Sequence, residues 1–190
     1  MRAWQIETLG APPVLRDLTD PVAGPGQALV RIHPCGLNFA DLLMADGRYQ
    51  DRPPLPFTPG LECAGTVLAL GSGTTGPAPG TRVACNAGLG GLAERGVFPA
   101  ASLVPIPDNL SFEQAAGFQI AYGTSLLALD RLARLQPGET LLVLGAAGGV
   151  GLTAVEIGAQ LGAHVIACAR GAEKCAIARA AGAHATIDSD

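Results

Sequence analysis

The sequence has few aromatic residues, few charges and no excess of basic residues. Aromatic residues make up 4% of its 190 residues and charged residues 15%, whereas 48% are hydrophobic and 26 residues are glycine. A chain this apolar can bury a substantial core. Because aromatic side chains are few, much of that core must form by close packing of backbone segments. The formal net charge of −4 argues against a basic face for nucleic acid.

The cysteines lack any paired spacing. Cys35, Cys63, Cys85, Cys168 and Cys175 form no CxxC motif, and their number is odd. This pattern argues against a disulfide framework and against a structural zinc site. We expect small buried thiols in a reducing compartment, which with the mildly acidic composition indicates a cytoplasmic protein.

No apolar run resembles a membrane span. The least polar stretch, residues 140–155, contains several glycines and is followed closely by Glu156, Gln160 and His164. A transmembrane helix needs about 20 mostly apolar residues. The first ten residues also lack the apolar segment of a signal peptide, so we expect no membrane partner.

Residues 140–170 have the layout of a dinucleotide-binding unit. A short apolar run, a glycine-rich turn, an apolar stripe at helical spacing and a second apolar run follow one another. Such glycines permit close backbone approach to a pyrophosphate, and the helix N-terminus faces the anion. The usual G-x-G-x-x-G fingerprint has Ala146 at its first glycine when aligned on Gly148 and Gly151. Nucleotide binding is favoured over a purely structural turn because the motif has the required strand and helix context.

The rest of the chain divides into a β-rich part and a helix-rich part. Ser111 and Gln114 have the spacing of a capping box, which predicts a helix start, with a possible break near Gly123. The remainder predicts a β-α-β-α-β order, with a second helix over 172–181 and a third strand over 185–188. The sequence thus predicts a mainly-β domain over residues 1–110 and half of a doubly wound domain over 111–190. Short strands are predicted over 3–7, 28–33, 65–69, 82–85 and 102–106.

Five segments together carry a family resemblance. They are GLNFAD at 36–41, Tyr49 with PLP at 54–56, PGLECAG at 59–65, AYGT at 121–124 and AAGGVG at 146–151. In order and spacing the chain resembles the zinc-independent, crystallin-like quinone oxidoreductases of the medium-chain dehydrogenase/reductase superfamily. The resemblance implies an α/β fold with an N-terminal GroES-like barrel and then the first half of a Rossmann domain. The chain therefore looks truncated, or completed by a partner, and the family implies a possible homodimer.

The zinc-dependent branch of that superfamily provides a test of metal binding. Its cysteine and histidine ligands align with Asn38, Leu61 and Ala116, none of which supplies a thiolate or an imidazole. The cysteine-rich lobe of its second zinc has only Cys85 nearby. We therefore expect no metal site, and we expect Glu62 to be a buried structural acid.

The resemblance implies hydride transfer from a reduced nicotinamide to a quinone or an α,β-unsaturated carbonyl. The cofactor supplies the hydride, so the protein must supply orientation and hydrogen-bond donors. Asn38 offers an amide, Tyr49 a hydroxyl, and Asp41 can orient one of them or a water. Alternatively, Asn38 and Asp41 cap a short helix and Tyr49 closes a proline-rich loop.

The end of the second predicted strand favours NADPH over NADH. NAD enzymes usually place an acid there, whereas this chain has Arg170 and, one helical turn on, Lys174. These cations suit a 2′-phosphate, although both can also be ordinary surface residues. Thr124 is a further candidate near the nicotinamide. The remaining predicted cofactor contacts are Ala147, Gly148, Gly149, Val150 and Gly151.

Two other functions remain open on the sequence. One is an enoyl-thioester reductase of the same superfamily, which the predicted pocket residues do not distinguish from a quinone reductase. The other is a chain that binds nucleotide or a partner without catalysis, because half of the predicted sheet is missing.

Overall fold

The structure is a computed structural model that describes residues 1–190. The chain forms two compact units, Met1–Gln119 and Ile120–Asp190. The second unit begins later than the expected boundary after residue 110. The helix α2 (Phe112–Ala116) accounts for the difference, because it packs on barrel strands of the first unit.

The first unit is built on a five-stranded antiparallel sheet in the order β6-β3-β4-β5-β7. A separate hairpin pairs β1 with β2, and the helix α1 follows β3. This is the antiparallel sheet that the short apolar runs predict. The bounds are β1 Arg2–Gln5, β2 Val14–Asp17, β3 Gln27–Gly36, α1 Phe39–Ala45, β4 Glu62–Leu70, β5 Arg82–Asn86, β6 Arg95–Pro99, a 3-10 turn Ala100–Ser102 and β7 Leu103–Pro105.

Alternating side chains of these strands form the core of the first unit. Val30 on β3 lies opposite Val67 on β4, and both are buried together with Val83 and Phe98. Strands with one face toward the core show this period of two. The sequence did not predict β2 and β6, because β2 carries a charged pair and is largely exposed, whereas β6 contains a glycine and ends at a proline.

The second unit has the predicted β-α-β-α-β order, with a parallel sheet in the order β10-β9-β8. A helical segment precedes it. The apolar residues of the helix after β8 pack against the strands, and Val155 and Val165 are fully buried. The bounds are α3 Gln119–Leu126 with a π-helical turn Leu127–Leu132, β8 Thr140–Leu144, α4 Gly149–Gln160, β9 His164–Ala169, α5 Ala172–Ala180 and β10 Ala185–Asp188.

The helix predicted from the capping box begins as expected but breaks earlier than expected. Ser111 accepts a hydrogen bond from the N–H of Gln114, and Gln114 accepts one from Ser111, so the capping box is confirmed. The predicted break near Gly123 is wrong, since Gly123 lies inside α3. The interruption falls at Gly117, which ends α2 and is followed by the start of α3.

The strand β8 lies at the edge of the parallel sheet, with β9 as its neighbour. Its side chains Leu142 and Leu144 are 53% and 73% exposed. Strands of parallel sheets are normally buried on both faces.

No helix among the 190 residues is long and apolar enough to cross a bilayer.

Candidate functional site

The glycine-rich turn after β8 presents free backbone N–H groups at the start of α4. The N–H of Gly148 bonds to the carbonyl of Gly145 at 2.9 Å, and the first bond of the helix runs from Leu152 to Gly148 at 2.8 Å. Helices leave their first N–H groups without partners inside the helix. Those of Gly149, Val150 and Gly151 therefore face the end of the helix, where an anion is stabilised.

Two glycines of this turn meet distinct steric demands. Gly145 has φ +63°, a left-handed conformation that glycine adopts at little cost. At Gly151 an added Cβ would lie 2.2 Å from the carbonyl oxygen of Gly145 and 2.9 Å from its carbon. Ala146, at the first fingerprint position, is fully buried, and its N–H bonds to Cys168 on β9 at 3.0 Å.

A cleft of about 560 Å³ opens beside this turn at the carboxyl ends of β8 and β9. Four of the predicted cofactor contacts line it, Ala147, Gly148, Arg170 and Lys174, whereas Gly149, Val150 and Gly151 do not. Ser189, which the sequence did not single out, also lines it. In parallel α/β sheets, ligands bind at the carboxyl ends of the strands. The size of the cleft is typical of small-molecule sites.

The charges around the cleft include two aspartates at the end of β10. Arg170 forms a 3.5 Å ion pair with Asp190, and both side chains are more than half exposed. Exposed pairs of this kind contribute little stability. Asp188 accepts the N–H of Gly171 at 2.8 Å, and the N–H groups of Gly171 and Asp190 lower the pKa of Asp188. Lys174 forms no ion pair.

Thr124 lies apart from this cleft. It occupies an exposed position on α3 and does not contribute to the cleft lining. Its neighbour Tyr122 donates a hydrogen bond to Glu156 on α4, and this bond, together with burial, raises the pKa of Tyr122.

In the first unit, Asn38 lies where β3 leads into α1. Its side-chain nitrogen donates to Glu62 Oε1 at 2.9 Å, and Glu62 is 2% exposed. A primary amide has two N–H donors, so one remains beyond the bond to Glu62. Gly36 permits this approach, because a Cβ there would lie 2.8 Å from the Cγ of Glu62. Glu62 is therefore the buried structural acid that the sequence predicts.

Asp41 is buried and bound on both carboxylate oxygens. Oδ2 accepts the N–H of Asn38 at 2.9 Å, and Oδ1 accepts those of Gly60 and Leu61 at 3.0 and 3.1 Å. The first bond caps α1, as the alternative interpretation predicts, and the other two hold the loop that leads into β4. Its partners are backbone groups, so the geometry favours positioning of this loop over direct contact with a substrate.

Replacing Asp41 with asparagine is expected to lower the free energy of unfolding by about 2 kcal/mol, because an amide nitrogen would then face backbone N–H donors. Urea unfolding followed by circular dichroism measures the change. Asp46 ends the same helix at an exposed position, and Asp46→Asn is the matched control, with an expected change within about 0.5 kcal/mol. Equal free energies of unfolding for the two variants would contradict the role of Asp41 in holding the loop that leads into β4.

Tyr49 belongs to a different cluster from Asn38. Its N–H bonds to the carbonyl of Leu43 at 3.1 Å, and its side chain packs at the edge of a cluster formed by Ile6, Met44 and Phe57. The structure thus brings Asn38 and Asp41 together through a backbone hydrogen bond and places Tyr49 just beyond the end of α1. The catalytic roles of all three stay predictions.

Cys35, which the sequence predicts to be an ordinary buried thiol, is only half-buried and lies near this polar group. Its Sγ is 3.2 Å from the carbonyl oxygen of Glu62, and burial, followed by the charges of Asp41 and Glu62, raises its pKa to about 12. Burial and these charges thus favour the protonated thiol. No three His, Cys, Asp or Glu side chains of the chain converge as a metal site.

The chain is similar to proteins named as dehydrogenases and quinone oxidoreductases. A family model for the alcohol dehydrogenase GroES-like domain matches residues 24–108. The quinone oxidoreductase-like protein 2 homolog of Nematostella vectensis is 46% identical over 191 residues, which cover 98% of this chain and 52% of that protein. The chain therefore spans about half the length of this curated relative.

Two solved structures show the same fold. The quinone oxidoreductase of Thermus thermophilus matches with a TM-score of 0.89 and 41% identity, over 98% of this chain and 59% of that one. The Escherichia coli quinone oxidoreductase complexed with NADPH matches with a TM-score of 0.94 and 30% identity, over 99% of this chain and 58% of that one. The predicted fold class, a GroES-like domain followed by part of a Rossmann sheet, is confirmed. As its sequence segments predict, the chain contains a GroES-like domain and resembles, in sequence and in fold, the quinone oxidoreductases of the medium-chain dehydrogenase/reductase superfamily.

Proposed function

We propose that the chain is part of an NADPH-dependent oxidoreductase that transfers a hydride to a quinone or an α,β-unsaturated carbonyl without zinc. The observation that carries this proposal is the cleft in which the glycine turn before α4 and the cations Arg170 and Lys174 meet. Structures of the Thermus and Escherichia coli relatives have been determined with NADPH.

The residues of the cleft and of the adjoining first turn of α4 fit this cofactor. The N–H groups of Gly149, Val150 and Gly151 would hold the pyrophosphate, as helix N-termini hold anions. Arg170 and Lys174 would hold the 2′-phosphate, since a guanidinium and an ammonium both bind phosphate oxygens by charge-assisted hydrogen bonds. Thr124 remains the proposed contact for the nicotinamide end. When bound, NADPH supplies the hydride.

The proposed donors to the substrate come from the first unit. Asn38, oriented by Glu62, would donate its remaining amide N–H to the carbonyl oxygen and stabilise the negative charge that develops there. The Tyr49 hydroxyl is a second proposed donor. Asp41 would act as a positioning residue, because it fixes the backbone N–H of Asn38.

The absence of zinc from the reaction is part of the proposal. The three positions that align with zinc ligands hold Asn38, Leu61 and Ala116, and Asn38 is already bonded to the carboxylate of Glu62. A zinc ion needs thiolate, imidazole or carboxylate ligands in tetrahedral arrangement. The side chains of these three positions do not provide them.

Turnover tests the proposal. We expect the intact enzyme that contains this chain to oxidise NADPH with a simple benzoquinone, measured by loss of NADPH absorbance, at a rate unchanged by a chelator. Chelator-sensitive oxidation of alcohols would contradict the zinc-free mechanism. Preference for an enoyl thioester over the quinone would instead identify an enoyl-thioester reductase. Tight NADPH binding without turnover of either acceptor would identify a nucleotide-binding chain.

A further inference from the structure

Two polar pairs join α3 to α4 within the second unit. Ser125 pairs with Thr153, and Tyr122 pairs with Glu156. The members are three residues apart on each helix, and residues three apart lie on one face of a helix. The order is antiparallel, so the Ser125–Thr153 pair lies nearer to the glycine turn and the Tyr122–Glu156 pair about one helical turn farther along α4.

The hydroxyls of Ser125 and Thr153 converge on one carbonyl. Ser125 Oγ lies 2.9 Å from the carbonyl oxygen of Val150, Thr153 Oγ1 lies 2.9 Å from the same oxygen, and the two hydroxyls are 2.8 Å apart. Thr153 Oγ1 also lies 3.1 Å from the carbonyl oxygen of Ala121. The side chains are 2% and 6% exposed, so water does not compete for these contacts. Each hydroxyl carries one proton, and either hydroxyl can donate it to the carbonyl oxygen of Val150.

The carbonyl of Val150 belongs to the same peptide group as the N–H of Gly151. A trans peptide is planar, and its C=O and N–H point in opposite directions. Within α4 the Val150 oxygen points toward the C-terminus of the helix and the Gly151 N–H toward its N-terminus, so hydroxyls that hold the oxygen also fix the direction of that N–H. That N–H is one of the three at the start of α4 that have no partner inside the helix.

We propose that Ser125 and Thr153 are positioning residues that fix the peptide between Val150 and Gly151, so that its N–H binds the pyrophosphate of the cofactor. This inference rests on the proposed NADPH site and adds to it two residues on the side of the turn opposite the ligand. A fixed donor costs no reorganisation on binding, which is how preorganised dipoles increase affinity. An aliphatic replacement at both positions removes the side-chain bonds to this peptide and leaves it only its hydrogen bond within α4.

Fluorescence titration of NADPH into the 190-residue chain tests the proposal. The double variant Ser125→Ala/Thr153→Val is expected to raise the Kd about tenfold. Either single variant is expected to raise the Kd less than about threefold, since the remaining hydroxyl still donates to the carbonyl oxygen of Val150. Thr153→Ser, which keeps the hydroxyl, is expected to bind as the wild type does. The titration endpoint gives the fraction of folded chain, which a merely structural loss would reduce without changing the Kd.

Tyr122→Phe is the matched control, because it removes a hydroxyl from the same helix pair, about one turn from the glycine turn. Its Kd is expected to stay within about twofold of the wild type. A double variant with wild-type Kd would overturn the positioning role, and so would an equal rise in Tyr122→Phe. A wild-type chain that binds no NADPH would overturn the proposed function itself, and the two failures are therefore distinct.

Discussion

Replacing Arg170 and Lys174 together with glutamine is expected to weaken NADPH binding about 100-fold and to leave NADH binding nearly unchanged. Both side chains line the cleft at the carboxyl end of β9, where the two cofactors differ by a single phosphate. Each charge-assisted hydrogen bond to that phosphate contributes about 1.5–3 kcal/mol. Because Arg170 is paired with the exposed Asp190, part of its contribution is offset by the loss of that pair.

Arg179→Gln is the matched control for this pair of variants. Arg179 lies near the other end of α5 and bonds to Thr186, so its loss removes a charge from the same unit without touching the cleft. Its effect on either Kd is expected to stay below about twofold. Equal losses of NADPH and NADH affinity in the Arg170/Lys174 variant would show that these residues do not recognise a 2′-phosphate.

The replacement Gly151→Ala is expected to destabilise the second unit by about 3 kcal/mol and to abolish NADPH binding. Its Cβ would lie 2.2 Å from the carbonyl oxygen of Gly145, which is backbone and has no rotamer to change. The turn must therefore shift, and the N–H groups at the start of α4 shift with it. Thermal unfolding and an NADPH titration measure the two effects.

Gly149 is the matched control, because it lies in the same helical turn but has no atom within 4 Å of an added Cβ. Gly149→Ala is expected to leave the free energy of unfolding unchanged or to raise it by up to about 1 kcal/mol, since alanine has a higher helix propensity than glycine. A Gly151→Ala variant as stable as Gly149→Ala would contradict the close approach of strand and helix in this turn.

The parallel half of the fold was predictable because its signals are local. The run of leucines in β8, the turn before Gly151 and the helical stripe of α4 each lie within a few residues, and each appears as predicted. The capping box at Ser111 is local too, and it is confirmed. Periodicity and turn chemistry suffice where one element follows another directly.

The features that could not be predicted from the sequence depend on contacts between residues far apart in the chain. Asp41 binds the N–H groups of Gly60 and Leu61, and Asn38 binds Glu62, across 19 to 24 residues of chain. No spacing rule predicts such partners, because strand pairing brings them together. The position of the helix break, at Gly117 and not near Gly123, likewise follows from packing of α2 on the strands.

Titration of the wild-type 190-residue chain with NADPH and NADH tests most directly that the cleft beside α4 binds a phosphorylated dinucleotide. We expect enhanced nicotinamide fluorescence and a Kd for NADPH about tenfold or more below that for NADH, with the difference shrinking as salt is added. Equal or tighter binding of NADH, or no binding of either cofactor, would contradict it.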